Sequence, residues 1–296
     1  MARAALASGE RPHLEESSVF PDGCTVPVHV VVGSLSARTS DARMVAHLHT
    51  TGIPDNSFVD VGEPFLLSTP ELCFFQAAAS LSLPQLIALG FELCGTYAVH
   101  QNRPTQYRDR PLTSSARLRS FAARVPSMRG LKKARKALAY VRGGAASPAE
   151  AALAMMLCLP YRLGGYGIPW PELNYCIDVP ASRKHLLDRS FCIGDACWPC
   201  EKLVCEYDSD EFHGAAERRE SDERRRNALT AVGYTVVGIT RGQLMDSGAF
   251  NRLARQIAKI LGKRLRYRDP GFTHAHLALR SELFFNSDGW GQVPMR

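Results

Sequence analysis

The stretch CEYDSDEFH, residues 205–213, gathers four acidic residues directly behind an apolar strand. Side chains alternate across a strand, so Glu206 and Asp208 share one face and Tyr207 points to the other. Carboxylates held this close repel one another unless water screens them or a cation neutralises them. The stretch therefore predicts a strand that carries a charged site at its end.

The elements around this strand follow the order αβββαβα. Hydrophobic periodicity and turn residues predict a helix over 148–158, strands over 173–179, 186–194 and 202–208, a helix over 215–231, a strand over 234–240 and a helix over 246–262. Ser147 as N-cap and Pro148 at the first helical position mark where the first helix begins. We therefore predict an α/β fold, a mixed α+β sheet with its helices, for a domain over residues 147–263.

The strand before the acidic stretch supplies another carboxylate. Asp195 is expected at the end of that strand, just before a turn made by CWPC, residues 197–200. If the two strands form a hairpin about this turn, Asp195 lies close enough to Glu206 for both to bind one cation. Oxygen ligands of this kind suit Mg²⁺ or Mn²⁺.

Cysteines offer an alternative metal site in the same hairpin. The chain has nine cysteines, an odd number without a secretion signal, which favours reduced thiols over disulfides. Four of them flank the turn and have a plausible ligand count for zinc or an iron–sulfur cluster: Cys192, Cys197, Cys200 and Cys205. Strand alternation argues against convergence, because it places Cys192 and Cys205 opposite the acids and Cys197 on the face of Asp195.

Basic residues dominate the region over 103–142, where twelve arginines and lysines accompany one acid, Asp109. The chain as a whole has a formal net charge of +7, which favours anionic partners. Helical spacing predicts helices over 113–124 and 130–141. Either this region is a solvated helical linker, or it binds phosphates. The candidate nucleic-acid-binding residues are Arg117, Arg124, Lys132, Lys133, Arg135 and Lys136.

The segments before the basic region predict a smaller domain over residues 21–143. Residues 1–20 are polar without a period, which predicts a flexible terminus. Strands are predicted over 26–33, 44–50, 57–62 and 65–69, and two helices are predicted from a Thr69-Pro70 start to about Tyr97. At the other end of the chain, residues 264–296 are predicted to form a tail with a possible short helix over 273–284.

An uncharged run over residues 72–91 raises the question of a membrane span. Polar residues and Pro84 divide the run into two short amphipathic pieces, which indicates a helical hairpin instead. The first residues lack the apolar core of a secretory signal. We therefore expect a cytoplasmic protein with no membrane partner.

The second domain resembles the restriction-endonuclease-like superfamily with its PD-(D/E)xK core. More closely, it is similar to a domain-of-unknown-function family related to very-short-patch mismatch-repair endonucleases. The motifs that carry the resemblance are Ser147-Pro148-Ala149-Glu150, Asp195, Glu206-Tyr207-Asp208-Ser209, His213, Asp222, Arg225, Leu229, Gly233 and Tyr234. They cover residues 147 to about 262.

The resemblance implies a metal-dependent endonuclease. In such a site Asp195, Glu206 and the backbone carbonyl of Tyr207 would hold Mg²⁺ or Mn²⁺. Glu150 would assist through water or a second ion, although an acid at the third helical position also caps its own helix, and both roles stay open. Hydrolysis of a phosphodiester needs an activated water and a counter-charge for the phosphorane, which a hard cation supplies.

Five further residues have expected roles in this site. Asp208 stands where the superfamily has a lysine, and a carboxylate cannot stabilise an anion. His213, Lys202 or Arg225 would therefore have to act as the electrophile or acid/base group. Asp222 and Arg225 would anchor the following helix near the site, or they would form ordinary pairs on a solvated face.

The N-terminal part, with VHVVV, HLHT and LLSTPELCFFQAA, resembles the C-terminal region of the abortive-infection type IV antitoxin family. Two functions follow from the two resemblances. The first is an endonuclease that cleaves nucleic acid, DNA rather than RNA. The second is a non-catalytic nucleic-acid-binding regulator of antitoxin type that keeps the nuclease fold. His47 and His49 share a strand face there, which on its own is typical of packing or surface residues.

Overall fold

The computed structural model describes residues 27–49, 52–60, 66–100, 103–180, 191–208, 216–267 and 270–284. Contacts divide the chain into two compact units. The first comprises residues up to Ser80 together with Ala116–Arg135, and the second comprises Leu81–Ser115 and the chain from Lys136 onward. The contacts thus group residues 81–115 with the second unit, whereas the sequence placed all of 21–143 in one domain.

The secondary structure mixes helices and strands throughout, as an α+β fold does. The strands are β1 Val28–Val32, β2 Met44–Leu48, β3 Phe58–Asp60, β4 Leu66–Ser68, β5 Tyr97–His100, β6 Arg103–Tyr107, β7 Glu172–Asp178, β8 Phe191–Trp198, β9 Leu203–Asp208 and β10 Thr235–Thr240. The helices are α1 Pro70–Ala77, α2 Leu83–Leu93, α3 Ser115–Arg124, α4 Leu131–Leu138, α5 Pro148–Cys158, α6 Ala216–Ala231, α7 Arg241–Met245, α8 Ser247–Ile260 and α9 Pro270–Phe284.

The first unit contains two small sheets, most of α3 and the first five residues of α4. β1 and β2 pair in parallel, and β3 and β4 pair antiparallel. Thr69 caps α1 by accepting a hydrogen bond from the Leu72 backbone, with Pro70 at the first helical position, as predicted. Phe75 of α1 packs against Phe121 of α3 with ring centroids 5.2 Å apart. The apolar face of α3 is therefore buried while its arginines stay in solvent.

The second unit is built on a four-stranded sheet with the order β10-β9-β8-β7. β7, β8 and β9 form an antiparallel meander, and β10 pairs in parallel with β9. All eleven residues of α5 are buried, as its Ala- and Met-rich sequence favours. Ala228 and Leu229 of α6 pack on Val204 of β9. From α5 to α8 the elements follow αβββαβαα, which is the predicted order with the short helix α7 added before α8.

The predicted C-terminal tail contributes a long helix to the second unit. α9 begins at Pro270, three residues before the predicted start, and its rings join an aromatic cluster. Tyr166 contacts Phe250 and Phe272, and the Nδ1 atom of His276 lies 2.7 Å from the Gly164 carbonyl oxygen. These contacts bury α9 against the core.

The predictions about three strands, β8, β5 and β6, were wrong. β8 does not end at Asp195 but continues to Trp198, so Asp195 lies inside the strand and the turn occupies residues 199–202. Tyr97 lies in a strand rather than at a helix end, and residues 103–107 form β6 within the region predicted as helical. No helix among the described residues is long and apolar enough to cross a membrane.

Candidate metal and nucleic-acid site

Asp195 and Glu206 lie where the backbone pairing of β8 and β9 ends. The last paired residues are Ala196 and Cys205, which places Asp195 and Glu206 at the next step of the same register. Beyond this pair the Asp195 side chain replaces a backbone acceptor, because its Oδ2 atom accepts a hydrogen bond from the Tyr207 backbone N–H at 2.7 Å. The backbones of these two acidic residues are thus neighbours on adjacent antiparallel strands.

Glu206 is buried and forms an ion pair with an arginine of α6. Its Oε2 atom lies 3.1 Å from Nη2 of Arg225, and the two side chains are 8% and 36% exposed, respectively. A second guanidinium nitrogen of Arg225, Nη1, donates to the Ile193 carbonyl oxygen at 3.4 Å. A buried carboxylate needs a counter-charge, and in this structure a protein cation supplies it. Arg225 therefore lies at the site. This position agrees with the first of its two predicted roles, anchoring of the helix near the acids, and not with a pair on a solvated face.

Burial and a neighbouring charge shift the pKa of Asp195 in opposite directions. Burial raises its pKa, while the hydrogen bond from Tyr207 and the positive charge of Arg225 oppose that rise. One carboxylate oxygen, Oδ1, has no partner among the described residues.

Glu150 acts as a cap of its own helix. Its backbone N–H donates to Ser147 Oγ, and its carboxylate accepts hydrogen bonds from the Ala146 N–H, Ser147 Oγ and Asn174 Nδ2. Burial, followed by the negative charge of Asp195, raises its pKa to about 7 against the effect of these donors. The capping role that the sequence left open is confirmed, and Glu150 is also electrostatically coupled to Asp195.

Asn174 is a residue that the sequence analysis missed. It lies on β7 between the paired residues Leu173 and Tyr175, with a left-handed backbone conformation at φ 48°. Its amide donates to both the Glu150 carboxylate and the Gly144 carbonyl oxygen. An asparagine within a predicted strand was the available signal, because this residue type tolerates positive φ.

The remaining predicted site residues separate into three groups. Asp208 is exposed at the end of β9, so water screens its charge. Lys202 is exposed in the turn, about 13 Å along the strand from Glu206, which is too far for the role of electrophile. His213 lies outside the described residues, as does the side chain of Asp222.

The cysteines do not converge. Cys192 and Cys197 share one core cluster with Val204 on the α6 face, which is the face of Glu206, so the predicted position of Cys192 opposite the acids was wrong. The β7–β8 pairing is interrupted opposite Asn174, between the pairs Leu173–Ala196 and Tyr175–Gly194, with the same register on both sides. Cys205 alternates with Val204 onto the other face, and Cys200 is exposed.

Burial also keeps the core thiols protonated. The pKa of Cys197 is raised to about 11, mainly because its side chain is desolvated. Metal ligation requires the thiolate form, which this environment disfavours. All eight described cysteines are free, so the thiolate-metal alternative finds no support among them.

The six candidate phosphate-binding residues lie on α3 and α4. Five of them are exposed, and Lys133 is half-buried. Arg117 pairs with Glu71 at 2.9 Å, and Arg124 and Arg135 donate to backbone carbonyl oxygens. Lys132 and Lys136 lie one turn apart on the outer side of α4, opposite its buried apolar residues. These two lysines present the most accessible charge.

The donor set fits a hard cation that keeps most of its water. The described residues contain no group of three His, Cys, Asp or Glu side chains close enough to hold a metal ion. Mg²⁺ commonly uses only one or two carboxylates and fills its octahedron with water. Asp195, Glu206 and the Tyr207 carbonyl are therefore chemically sufficient, provided that Arg225 gives way at Glu206.

Comparisons with known proteins leave the family open. The chain is 28% identical over 135 residues to two uncharacterized proteins, from two strains of Mycobacterium tuberculosis. The match covers 46% of this chain, which spans only 44% of the length of these relatives. No protein family and no solved structure matches the chain.

Proposed function

We propose that this protein is a Mg²⁺- or Mn²⁺-dependent endonuclease of the restriction-endonuclease-like superfamily, acting on DNA in the cytoplasm. The observation that supports the proposal most is the pairing of β8 with β9. It brings Asp195 and Glu206 to adjacent positions at the point where the backbone ladder ends. Two acids on neighbouring strands are the arrangement that the resemblance implies.

The chain's own residues would divide the work as follows. Asp195 and Glu206 would hold the ion through carboxylate oxygens, with the Tyr207 carbonyl as a further ligand. The bound cation would supply an activated water and positive charge for the phosphorane. Arg225 would turn from Glu206 to the phosphate, because a guanidinium donates two parallel hydrogen bonds to phosphate oxygens. It would thereby replace the lysine whose position Asp208 occupies.

The basic helices α3 and α4 would bind the nucleic-acid backbone. Contacts of lysine and arginine with phosphates release counterions and give affinity without sequence specificity. Lys132 and Lys136 would contribute most, since both are exposed. Arg117 would contribute less because Glu71 already compensates its charge.

A cleavage assay tests the proposal. Purified protein with Mg²⁺ or Mn²⁺ should nick supercoiled plasmid, and chelation should stop the reaction. Asp195→Asn and Glu206→Gln should abolish nicking and retain DNA binding. Asp178→Asn is the matched control, because Asp178 is an exposed acid at the end of β7 in the same sheet. Equal nicking by all four proteins would refute the assignment.

The alternative is a non-catalytic nucleic-acid-binding regulator of antitoxin type. One observation favours it: the Glu150 carboxylate accepts hydrogen bonds from protein donors, and the Glu206 carboxylate forms an ion pair with Arg225. The same assay separates the two functions. DNA binding by wild type without cleavage under any divalent cation would support the regulator.

A further inference from the structure

Two histidines meet across the parallel strands of the first unit. His29 on β1 and His47 on β2 are diagonal neighbours, because His29 is in register with Val45 and Val31 with His47. Nδ1 of His29 lies 2.7 Å from Nε2 of His47. The ring centroids are 4.9 Å apart with 19° between the planes, and both side chains are exposed. Two imidazole nitrogens therefore face each other where solvent can reach them.

The contact fixes the protonation of the facing nitrogens. At this distance one nitrogen must carry the proton and the other must offer its lone pair, since two lone pairs would repel. Partial burial, followed by the proximity of His29, lowers the pKa of His47. A neutral imidazole is the form that binds metal ions.

We propose that His29 and His47 form a two-ligand site for a borderline divalent cation of the Zn²⁺, Ni²⁺ or Cu²⁺ type. Nitrogen ligands about 2.05 Å from an ion are about 2.9 Å apart at a right angle and about 3.3 Å apart at a tetrahedral angle. The observed 2.7 Å needs only a small opening, which rotation of two exposed rings about χ2 provides.

Binding needs no oxidant and no net loss of a proton from the neutral pair. The proton that lies between the two rings moves to the other nitrogen of the ring that carries it, which is a change of tautomer. Both facing nitrogens then offer lone pairs to the ion. Water would complete the coordination, because the described residues contain no third ligand at the site. The site is therefore expected to bind more weakly than structural sites with four protein ligands.

The ion would act as a clip between the two strands. A two-stranded sheet is marginal without further support, and in the described part of the chain β1 and β2 form a sheet of two strands. A ligand that binds the folded form alone stabilises it by mass action. The site is distinct from the proposed carboxylate site in chemistry, since imidazole selects borderline ions and carboxylates select hard ones.

Metal titration of the full chain tests the inference. Wild type, His29→Gln, His47→Gln and the control His274→Gln, an exposed histidine on α9, would be titrated with Ni²⁺, Cu²⁺ and Zn²⁺ by calorimetry. We expect one wild-type site with Cu²⁺ bound most tightly, at least tenfold weaker binding in the first two variants, and no change in the control. Zn²⁺ should raise the unfolding midpoint of wild type and of the control. It should not raise the midpoint of the two variants that lack His29 or His47.

Circular dichroism spectra would establish that the variants fold, and Cu²⁺ electron paramagnetic resonance would count nitrogen ligands. Two coupled nitrogens in wild type, lost on either substitution, support the site. Equal affinity of wild type and both folded variants would overturn it. Plasmid nicking with Mg²⁺ does not depend on this outcome, so the two proposals fail separately.

Discussion

Replacement of Arg225 by methionine tests whether this guanidinium is the resident counter-ion of the acidic site. Methionine keeps an unbranched apolar stem close in size to that of arginine and removes the charged guanidinium. Removal of one partner from a fully buried pair costs about 3–5 kcal/mol, because the other charge is left uncompensated. Arg225 is 36% exposed, so solvent screens part of that cost. We expect the variant to lose about 2 kcal/mol of unfolding free energy without divalent metal at pH 8.

Urea denaturation followed by circular dichroism measures this loss. Arg226→Met is the matched control, since Arg226 is the next residue on α6 and is exposed, and it should change stability by about 0.5 kcal/mol or less. A double-mutant cycle with Glu206→Gln isolates the pair. The double variant should be more stable than the sum of the single losses predicts.

Divalent metal should reverse the effect. If Mg²⁺ takes the place of the guanidinium, saturating Mg²⁺ should restore most of the stability of Arg225→Met, and the variant should bind Mn²⁺ more tightly than wild type does. The reasoning is refuted if Arg225→Met is as stable as Arg226→Met, or if additive losses in the cycle show that Arg225 and Glu206 do not interact.

Three further outcomes follow from the described residues. Burial raises the pKa of Glu92 from 4.5 to about 7, so the contribution of this residue to stability is favourable at low pH and is lost as the pH rises between these values. In chemical denaturation, Glu92→Gln should therefore increase the free energy of unfolding by about 3 kcal/mol at pH 8 and leave it unchanged at pH 4. Gly164 has φ 86°, and an added Cβ would lie 2.3 Å from the Ala275 carbonyl oxygen, so Gly164→Ala should lower stability by about 2 kcal/mol or more in the same assay. Replacement of both Lys132 and Lys136 by alanine should reduce the salt dependence of DNA affinity by about 1.8 in log–log slope, measured by fluorescence anisotropy, with no reduction if these lysines do not contact phosphates.

Local sequence signals predicted most of the second unit. The Ser147-Pro148 start placed α5 at its observed bounds, and alternation around Glu206 placed the acids of β9. β6 was missed because RPTQY has neither an apolar period nor a long β-branched run. The CWPC segment was taken as a turn because of its proline, whereas β8 continues through Trp198.

Tertiary contacts explain the parts that the sequence could not predict. The interruption of the β7–β8 pairing near Asp195 lies opposite the left-handed backbone of Asn174 on the neighbouring strand, and no local pattern encodes it. The choice of Glu206 as the partner of Arg225 depends on how α6 packs on the sheet. Pairwise contacts between distant segments are fixed only when the strands and the helix assemble.

Direct measurement of Mn²⁺ binding tests the central claim, that Asp195 and Glu206 hold a hard divalent cation. Electron paramagnetic resonance would count the bound Mn²⁺ ions in wild type, Asp195→Asn, Glu206→Gln and the surface control Asp178→Asn. The account predicts one bound Mn²⁺ ion in wild type and in the control, and Mg²⁺ should displace it. Asp195→Asn and Glu206→Gln should bind no Mn²⁺ at this site. Mn²⁺ binding that is unchanged in Asp195→Asn and Glu206→Gln would contradict it.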